Sequence, residues 1–187
     1  MIIQLYPNKI LNKKCTSVTQ WNNDLYQLVK DLEFVLVDRN SIEISAPQLG
    51  TSLRVFSLFL NGKPVTFINP KIREFGKEKV RAIETCLSIP MVRLNSRKRY
   101  DRIVIESKDI YQKTTTTEFK DNNAIAIQHA IDHLNGILFF EHMKPWIRKS
   151  IIRAYKKQTK NNRDLLSKTI KDFKKENNST LYNKFTD

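Results

Sequence analysis

Gln128-His129-Ala130-Ile131-Asp132-His133 sets two histidines four residues apart. On a helix, residues i and i+4 share a face, so His129 and His133 can grip one metal ion together. Working outward, Ala124 to Leu134 reads as a helix with Ile125, Ala126 and Ile127 on its buried side, and Asn135-Gly136 is a good helix stop. A second helix is expected from Asn23 to Val37. There Leu25, Leu28, Val29, Leu32, Val35 and Leu36 recur at helical spacing, with Asn23 or Asp24 as the cap and Asp38-Arg39-Asn40-Ser41 as a polar break. Between the helices lie short β-like runs: Arg54 to Leu60, Val65 to Ile68 ahead of Asn69-Pro70, Arg102 to Glu106, and Thr114 to Phe119. Asn61-Gly62 reads as a hairpin turn between the first two. The expectation is α+β: short antiparallel strands around a central metal-binding helix, followed by a basic C-terminal helix.

That last helix begins after Pro145, with Ile147, Ile151, Ala154 and Tyr155 as an apolar stripe and Trp146 packing it down. Leu165, Leu166, Thr169, Ile170 and Phe173 continue the period, and Asn177-Asn178-Ser179 ends it. Charge concentrates here. Residues 144–187 hold 13 Lys and Arg against 4 Asp and Glu, so nine of the net 14 positive charges lie in this segment. Such a segment attracts polyanions; the plainer reading is a solvated face in a Lys- and Asn-rich chain. With 187 residues and 40% hydrophobic content, one domain with its own core is expected. The boundaries read as a metal-binding domain over 1–150 and a basic helical extension over 151–187.

No run approaches the roughly 18 apolar residues that a membrane span needs. The start, Met1 to Pro7, lacks the basic segment and long apolar core of a signal peptide, so the chain reads as soluble and intracellular. In that compartment Cys15 and Cys86 are expected as thiols or ligands rather than as a disulfide. Cys15 receives no role.

A hydrolytic metal site takes three protein ligands and leaves one position open. Two histidines one turn apart occur on many helices, so the pair needs a partner. Cys86, in Glu84-Thr85-Cys86-Leu87-Ser88-Ile89-Pro90, is the best candidate for the third ligand. In His-Glu-x-x-His hydrolases the residue after the first histidine is the base that takes a proton from water. Here it is Ala130.

Three stretches resemble one family. Glu84-Thr85-Cys86-Leu87-Ser88 is similar to the Glu-Gly-Cys-Leu-Ser motif of peptide deformylases, and Gln128 to Gly136 resembles their Gln-His-Glu-x-Asp-His-Leu-Asn-Gly. Ser41 to Gly50 looks like their Gly-x-Gly-x-Ala-Ala-x-Gln loop. The three occur in family order, with Asn69-Pro70 and Leu138-Phe139-Phe140 in supporting positions, and the likeness covers about residues 1 to 150. The resemblance implies removal of the formyl group from the N-terminal methionine of nascent polypeptides. It implies one divalent ion, Fe2+ or Zn2+ foremost with Ni2+ or Co2+ as alternatives, held by Cys86, His129 and His133. Gln48 and the Leu87 backbone N–H would hold the developing oxyanion. Ile42, Ile125 and Ala126 would line a methionine pocket beside Glu43. Asp132 would orient the ligands or the helix, and Glu84 would anchor its loop through Arg97 or Arg99. A monomer in a bacterial cytoplasm, or in an organelle of bacterial descent, is implied, with no membrane partner. Its basic C-terminal helix would dock on the ribosome through Lys149, Arg153, Lys156, Lys157 and Lys160.

The departures cluster at the site. Ala130 stands where the family has its acid/base glutamate, a loss of about 10²–10⁴ in rate. Glu43 and Thr85 stand where the family has glycines. Glu43 reads either as a substitute acid/base or as a side chain turned to water. His142 is weighed as a spare ligand and read instead as a surface or core histidine. The functional expectation is a peptide deformylase-like metallohydrolase impaired by Ala130. The alternatives are a catalytically inactive relative that binds metal, N-terminal peptide or the ribosome, and a purely structural metal site.

Overall fold

The computed structural model describes residues 2–90 and 92–161. It divides into two compact units, 1–143 and 144–187. In the first, helix α1 (Asn23–Asp38) precedes strands β1 (Glu43–Ser45), β2 (Val55–Leu60), β3 (Lys63–Phe75), β4 (Lys79–Thr85), β5 (Arg93–Tyr100), β6 (Arg102–Lys108) and β7 (Thr114–Lys120); helix α2 (Asp121–Leu134) closes the series. A five-stranded sheet runs β1-β2-β3-β6-β7, and β4-β5 form a separate two-stranded sheet. The pairings between these strands are antiparallel. The α+β expectation holds.

The period of two in β2 explains how the large sheet is covered on both faces. Phe56 and Leu58 join Phe67, Ile103 and Ile105 in one core under α2, which contributes Ala124, Ile127, Ala130, Ile131 and Leu134. On the other face Val55, Ile68 and Ile44 pack against Leu25, Leu28, Leu32, Val35 and Leu36 of α1. Fully burying a side chain such as Ile127 or Leu32 is worth about 1.5–3 kcal/mol, so the two helices are clamped to one sheet. Even the polar residue of β2 is satisfied: Ser57 Oγ lies 2.8 Å from Thr66 Oγ1, which donates to Glu33 Oε1 on α1 at 2.9 Å.

Several local readings change. Asn22, not Asn23 or Asp24, caps α1, accepting from the Leu25 N–H at 3.1 Å. The strand read as stopping before Asn69-Pro70 continues through both. Asn69 takes φ 53° at an irregularity between Ile68 and Lys71, so the proline sits where the ladder is interrupted. The Asn69 side chain also accepts from the Val18 N–H and donates to the Val18 carbonyl, each at 2.8 Å. The β4–β5 hairpin was not anticipated, because Lys79–Thr85 is a charged run, KVRAIET, with only Ala82 and Glu84 buried in it. After α2 the chain makes a 3-10 turn, Phe139–His142. Asn61 (φ 49°) and Gly62 (φ 82°) form the expected hairpin turn, with both residues in the left-handed region.

In the second unit, 145–161 is helical. Ile147, Ile151 and Tyr155 follow the expected stripe, whereas Ala154 and Trp146 are exposed. The expected continuation over Leu165, Leu166, Thr169, Ile170 and Phe173 and the end at Asn177 to Ser179 lie outside the described residues. Among the described residues no helix is long and apolar enough to cross a membrane.

Candidate metal centre

α2 presents His129 and His133 one turn apart, their rings 4.9 Å between centroids at 71°. The helix is held at both ends. At its C-terminus, Cys15 donates its backbone N–H to the Leu134 carbonyl at 2.9 Å, and Arg54 Nη1 reaches the same carbonyl at 3.3 Å and Asn135 Oδ1 at 2.9 Å. These bonds satisfy carbonyls that the helix itself leaves unpaired. Nearer its start, the Gln128 amide clamps one residue of β5: Oε1 accepts from the Tyr100 N–H at 3.1 Å, and Nε2 donates to the Tyr100 carbonyl at 2.7 Å. β5 pairs β4, and Cys86 follows β4 directly. The clamp therefore sets the thiol against the histidines.

The ligand atoms offered by Cys86, His129 and His133 all lie within 4.8 Å of one another, and all three residues are buried. Cys86 Sγ is 3.2 Å from His133 Nε2. Burial alone would push the Cys86 thiol up; the positive charge and hydrogen bonding of His133 and His129 outweigh it and hold the thiol down at about 5. His129 Nδ1 lies 2.6 Å from Glu84 Oε2, which leaves Nε2 facing the cluster, buried and without a hydrogen-bond partner. A carboxylate on the far ring nitrogen is how a metal-binding imidazole is usually oriented. One thiolate and two imidazoles, the His129 ring oriented by Glu84, fit a divalent ion.

Behind the cluster runs a buried ionic chain. Arg99, 1% exposed, donates from Nε to Glu84 Oε1 at 3.0 Å and from Nη2 to Glu84 Oε2 at 2.7 Å, and from Nη1 to Asp132 Oδ2 at 2.6 Å. His142 Nε2 lies 3.2 Å from the same Asp132 oxygen. Burial opposes the Glu84 charge, but hydrogen bonds from His129 and Arg99 keep its carboxyl far below the usual range. Arg99 thus takes the role left open between Arg97 and Arg99; the Arg97 side chain lies outside the described residues. His142, weighed as a spare ligand, pairs with Asp132 instead.

In front of the cluster opens a cavity of about 670 Å3, and Cys86 and His129 reach it. Ile42, Ile125, Ala126, Leu87, Ile89 and Val92 give it apolar walls, with Arg39 and Arg93 also on its lining. Gln48 does not line it. Its Oε1 accepts from the Ser45 N–H at 2.8 Å, and its Nε2 points at Cys86 Sγ, 3.6 Å away. Ala130 is fully buried, and its carbonyl lies 3.4 Å from Ser45 Oγ. Glu43 does not turn to water. It is 9% exposed, with Oε1 3.6 Å from His129 Nε2 and Oε2 buried without a hydrogen-bond partner. Burial raises its carboxyl above the ordinary value against the pull of His129 and His133.

Of the sequence-derived site residues, the structure gathers Cys86, His129 and His133 into one cluster, sets Glu84 and Asp132 behind it through His129 and Arg99, and places Ile42, Glu43, Leu87, Ile125 and Ala126 on the adjoining cavity. Sequence reading missed the Gln128–Tyr100 clamp and the Arg54 cap. Both are polar side chains bonding backbone groups remote in sequence, which no periodicity signals.

The α+β fold sets a buried Cys-His-His cluster beneath an apolar cleft, a donor set of the metal-binding class. The family model for polypeptide deformylase matches residues 1–149. The peptide deformylase of Desulfotalea psychrophila is 32% identical over 161 residues, covering 83% of this chain and 92% of that one. That of Pseudothermotoga lettingae is 34% identical over 151 residues, covering 81% and 86%. The crystal structure of a peptide deformylase from Legionella pneumophila superposes with a TM-score of 0.80 at 26% identity, over 87% of this chain and 98% of the other. This chain belongs to the peptide deformylase family.

Proposed function

We propose that the chain is a divergent deformylase-type metallohydrolase whose substrate class is formyl-methionyl peptides and whose turnover is impaired. The observation that carries this reading is the Cys86-His129-His133 cluster at the base of an apolar cleft in a deformylase fold. The reaction adds water across the formyl C–N bond, releasing formate and the free amine of the peptide. A divalent ion held by the three ligands, Fe2+ or Zn2+ by the chemistry of a thiolate and two imidazoles, supplies Lewis acidity and lowers the pKa of water. The chain's own residues do the rest. Ile42, Ile125 and Ala126 accept the methionine side chain. The Leu87 N–H and Gln48 Nε2 are the donors assigned to the developing oxyanion. Glu84 fixes the His129 ring, and Asp132 fixes Arg99. The Ala130 methyl cannot carry a proton from water to the leaving amine.

Ala130 supports a second reading, a relative that binds metal and N-terminal peptide without turnover. The nine excess positive charges of residues 144–187 support ribosomal RNA as a partner, and the likeness to bacterial deformylases supports the cytoplasm, or an organelle of bacterial descent, as the place of action. The test is formyl-Met-peptide hydrolysis by the native chain and by an Ala130→Glu/Glu43→Gly variant at verified metal content. Slow native turnover that rises in the variant is expected. Silence of both at full metal loading would leave the binding reading.

A further inference from the structure

Glu43 stands where the family has a glycine, and its carboxylate turns inward beside His129. The loop that carries it runs from the end of α1 into β1, the edge strand of the large sheet, and Glu43 is the first residue of that strand. Its position is pinned by backbone bonds on both sides: the Ser41 hydroxyl donates to the Glu43 carbonyl at 2.9 Å, and the Phe59 N–H donates to the Ile42 carbonyl at 2.9 Å. From there the side chain enters the cluster. Oε1 stops 3.6 Å from His129 Nε2, a nitrogen that is itself buried without a hydrogen-bond partner. Oε2 is also buried and unpartnered. A buried carboxylate oxygen with no donor is costly; with Oε2 unpartnered and Oε1 beside an unpartnered imidazole nitrogen, a cation shared by the carboxylate and the ring would satisfy both. Donors bonded at about 2.1 Å to one tetrahedral ion stand about 3.4 Å apart, close to the 3.6 Å between His129 Nε2 and Glu43 Oε1.

We propose that Glu43 is a fourth protein ligand, completing a Cys86-His129-His133-Glu43 centre on the His129 side of the triad. Three protein ligands leave a position for water and substrate, whereas four close the centre. Two of the three departures from the family, Ala130 and Glu43, then belong together. Position 130 no longer supplies a base, and position 43 fills the place that the base would have served. This inference rests on the reading of Cys86, His129 and His133 as metal ligands; it does not rest on turnover.

The experiment loads the full-length chain, Glu43→Gln and Glu43→Gly with Co2+. Affinity is read by chelator competition, and the visible absorption of the ion is followed during azide addition. Glu43→Gln keeps the shape of the side chain, Glu43→Gly matches the family's residue, and a thermal melt verifies the fold of each. Both variants are expected to bind Co2+ at least about tenfold more weakly than the native chain. The native absorption should hardly respond to azide, while that of Glu43→Gly should shift. Equal affinities with equal azide responses would overturn the fourth ligand and leave the triad standing. A native chain that takes up no Co2+ would overturn the triad itself.

Discussion

Arg99 grips both carboxylate oxygens of Glu84, at 3.0 and 2.7 Å, and neither side chain reaches solvent to any useful extent. Because Glu84 Oε2 also meets His129 Nδ1 at 2.6 Å, one guanidinium sets the ring that faces the metal cluster. A charge so placed is tolerated only while its partners remain.

Replacing Arg99 by Met should therefore take from the buried carboxylates of Glu84 and Asp132 the guanidinium that they share. A loss of about 3–5 kcal/mol is expected in chemical denaturation. Arg99→Lys keeps the charge but not the two-pronged geometry, so it should recover only part of that loss.

Acid should find the same residue. The Glu84 carboxyl is held far below its unfolded value of 4.5. Its contribution to stability is thus fully present above about pH 4.5 and drains away as the pH falls below it. In chelator-treated protein, Glu84→Gln should be less stable than the native chain at pH 7, and the gap should narrow steadily on acidification. A gap that stays constant from pH 7 to pH 3 would sink the assignment.

The catalytic deficit should be coupled across the cleft. If Glu43 closes the centre, Ala130→Glu alone should yield little formyl-Met-peptide hydrolysis. The Ala130→Glu/Glu43→Gly pair should gain about 10²–10⁴ in kcat/KM. Additive effects of the two substitutions would argue that they act independently.

Gly136 offers a test of how α2 is anchored. At φ +73° a Cβ there would lie 2.7 Å from the Asn12 carbonyl oxygen and 2.8 Å from its carbon, both backbone atoms that cannot swing aside. Gly136→Ala should cost about 1–3 kcal/mol in thermal or denaturant unfolding and lower metal affinity with it.

Much of the fold was legible because it obeys short-range rules. The stripe from Leu25 to Leu36 dictated α1, Asn61-Gly62 dictated the hairpin between β2 and β3, and Asn135-Gly136 dictated the end of α2. β4 and β5 were not legible. Their charged side chains carry no alternation, and what holds them is the Gln128 clamp and the Arg99 bonds, made across 28 and 33 residues of sequence. The strand through Asn69-Pro70 was misread for a similar reason: its continuity depends on Asn69 reaching Val18.

The sequence by itself determined the ligand types and their pairing on one helix face. The i, i+4 spacing of His129 and His133 is a property of any α-helix. It also determined that position 130 carries no base, since a methyl group cannot exchange a proton in any fold. Only the tertiary structure decided that the Cys86 thiol meets those histidines, and that Arg99 rather than another arginine holds Glu84. It alone decided that Glu43 turns inward. A side chain on a loop is equally free, by sequence, to face water or a cluster 86 residues further along the chain. The choice is made when β1 pairs with β2 and α2 packs across the sheet, because only then do the atoms share one dry volume.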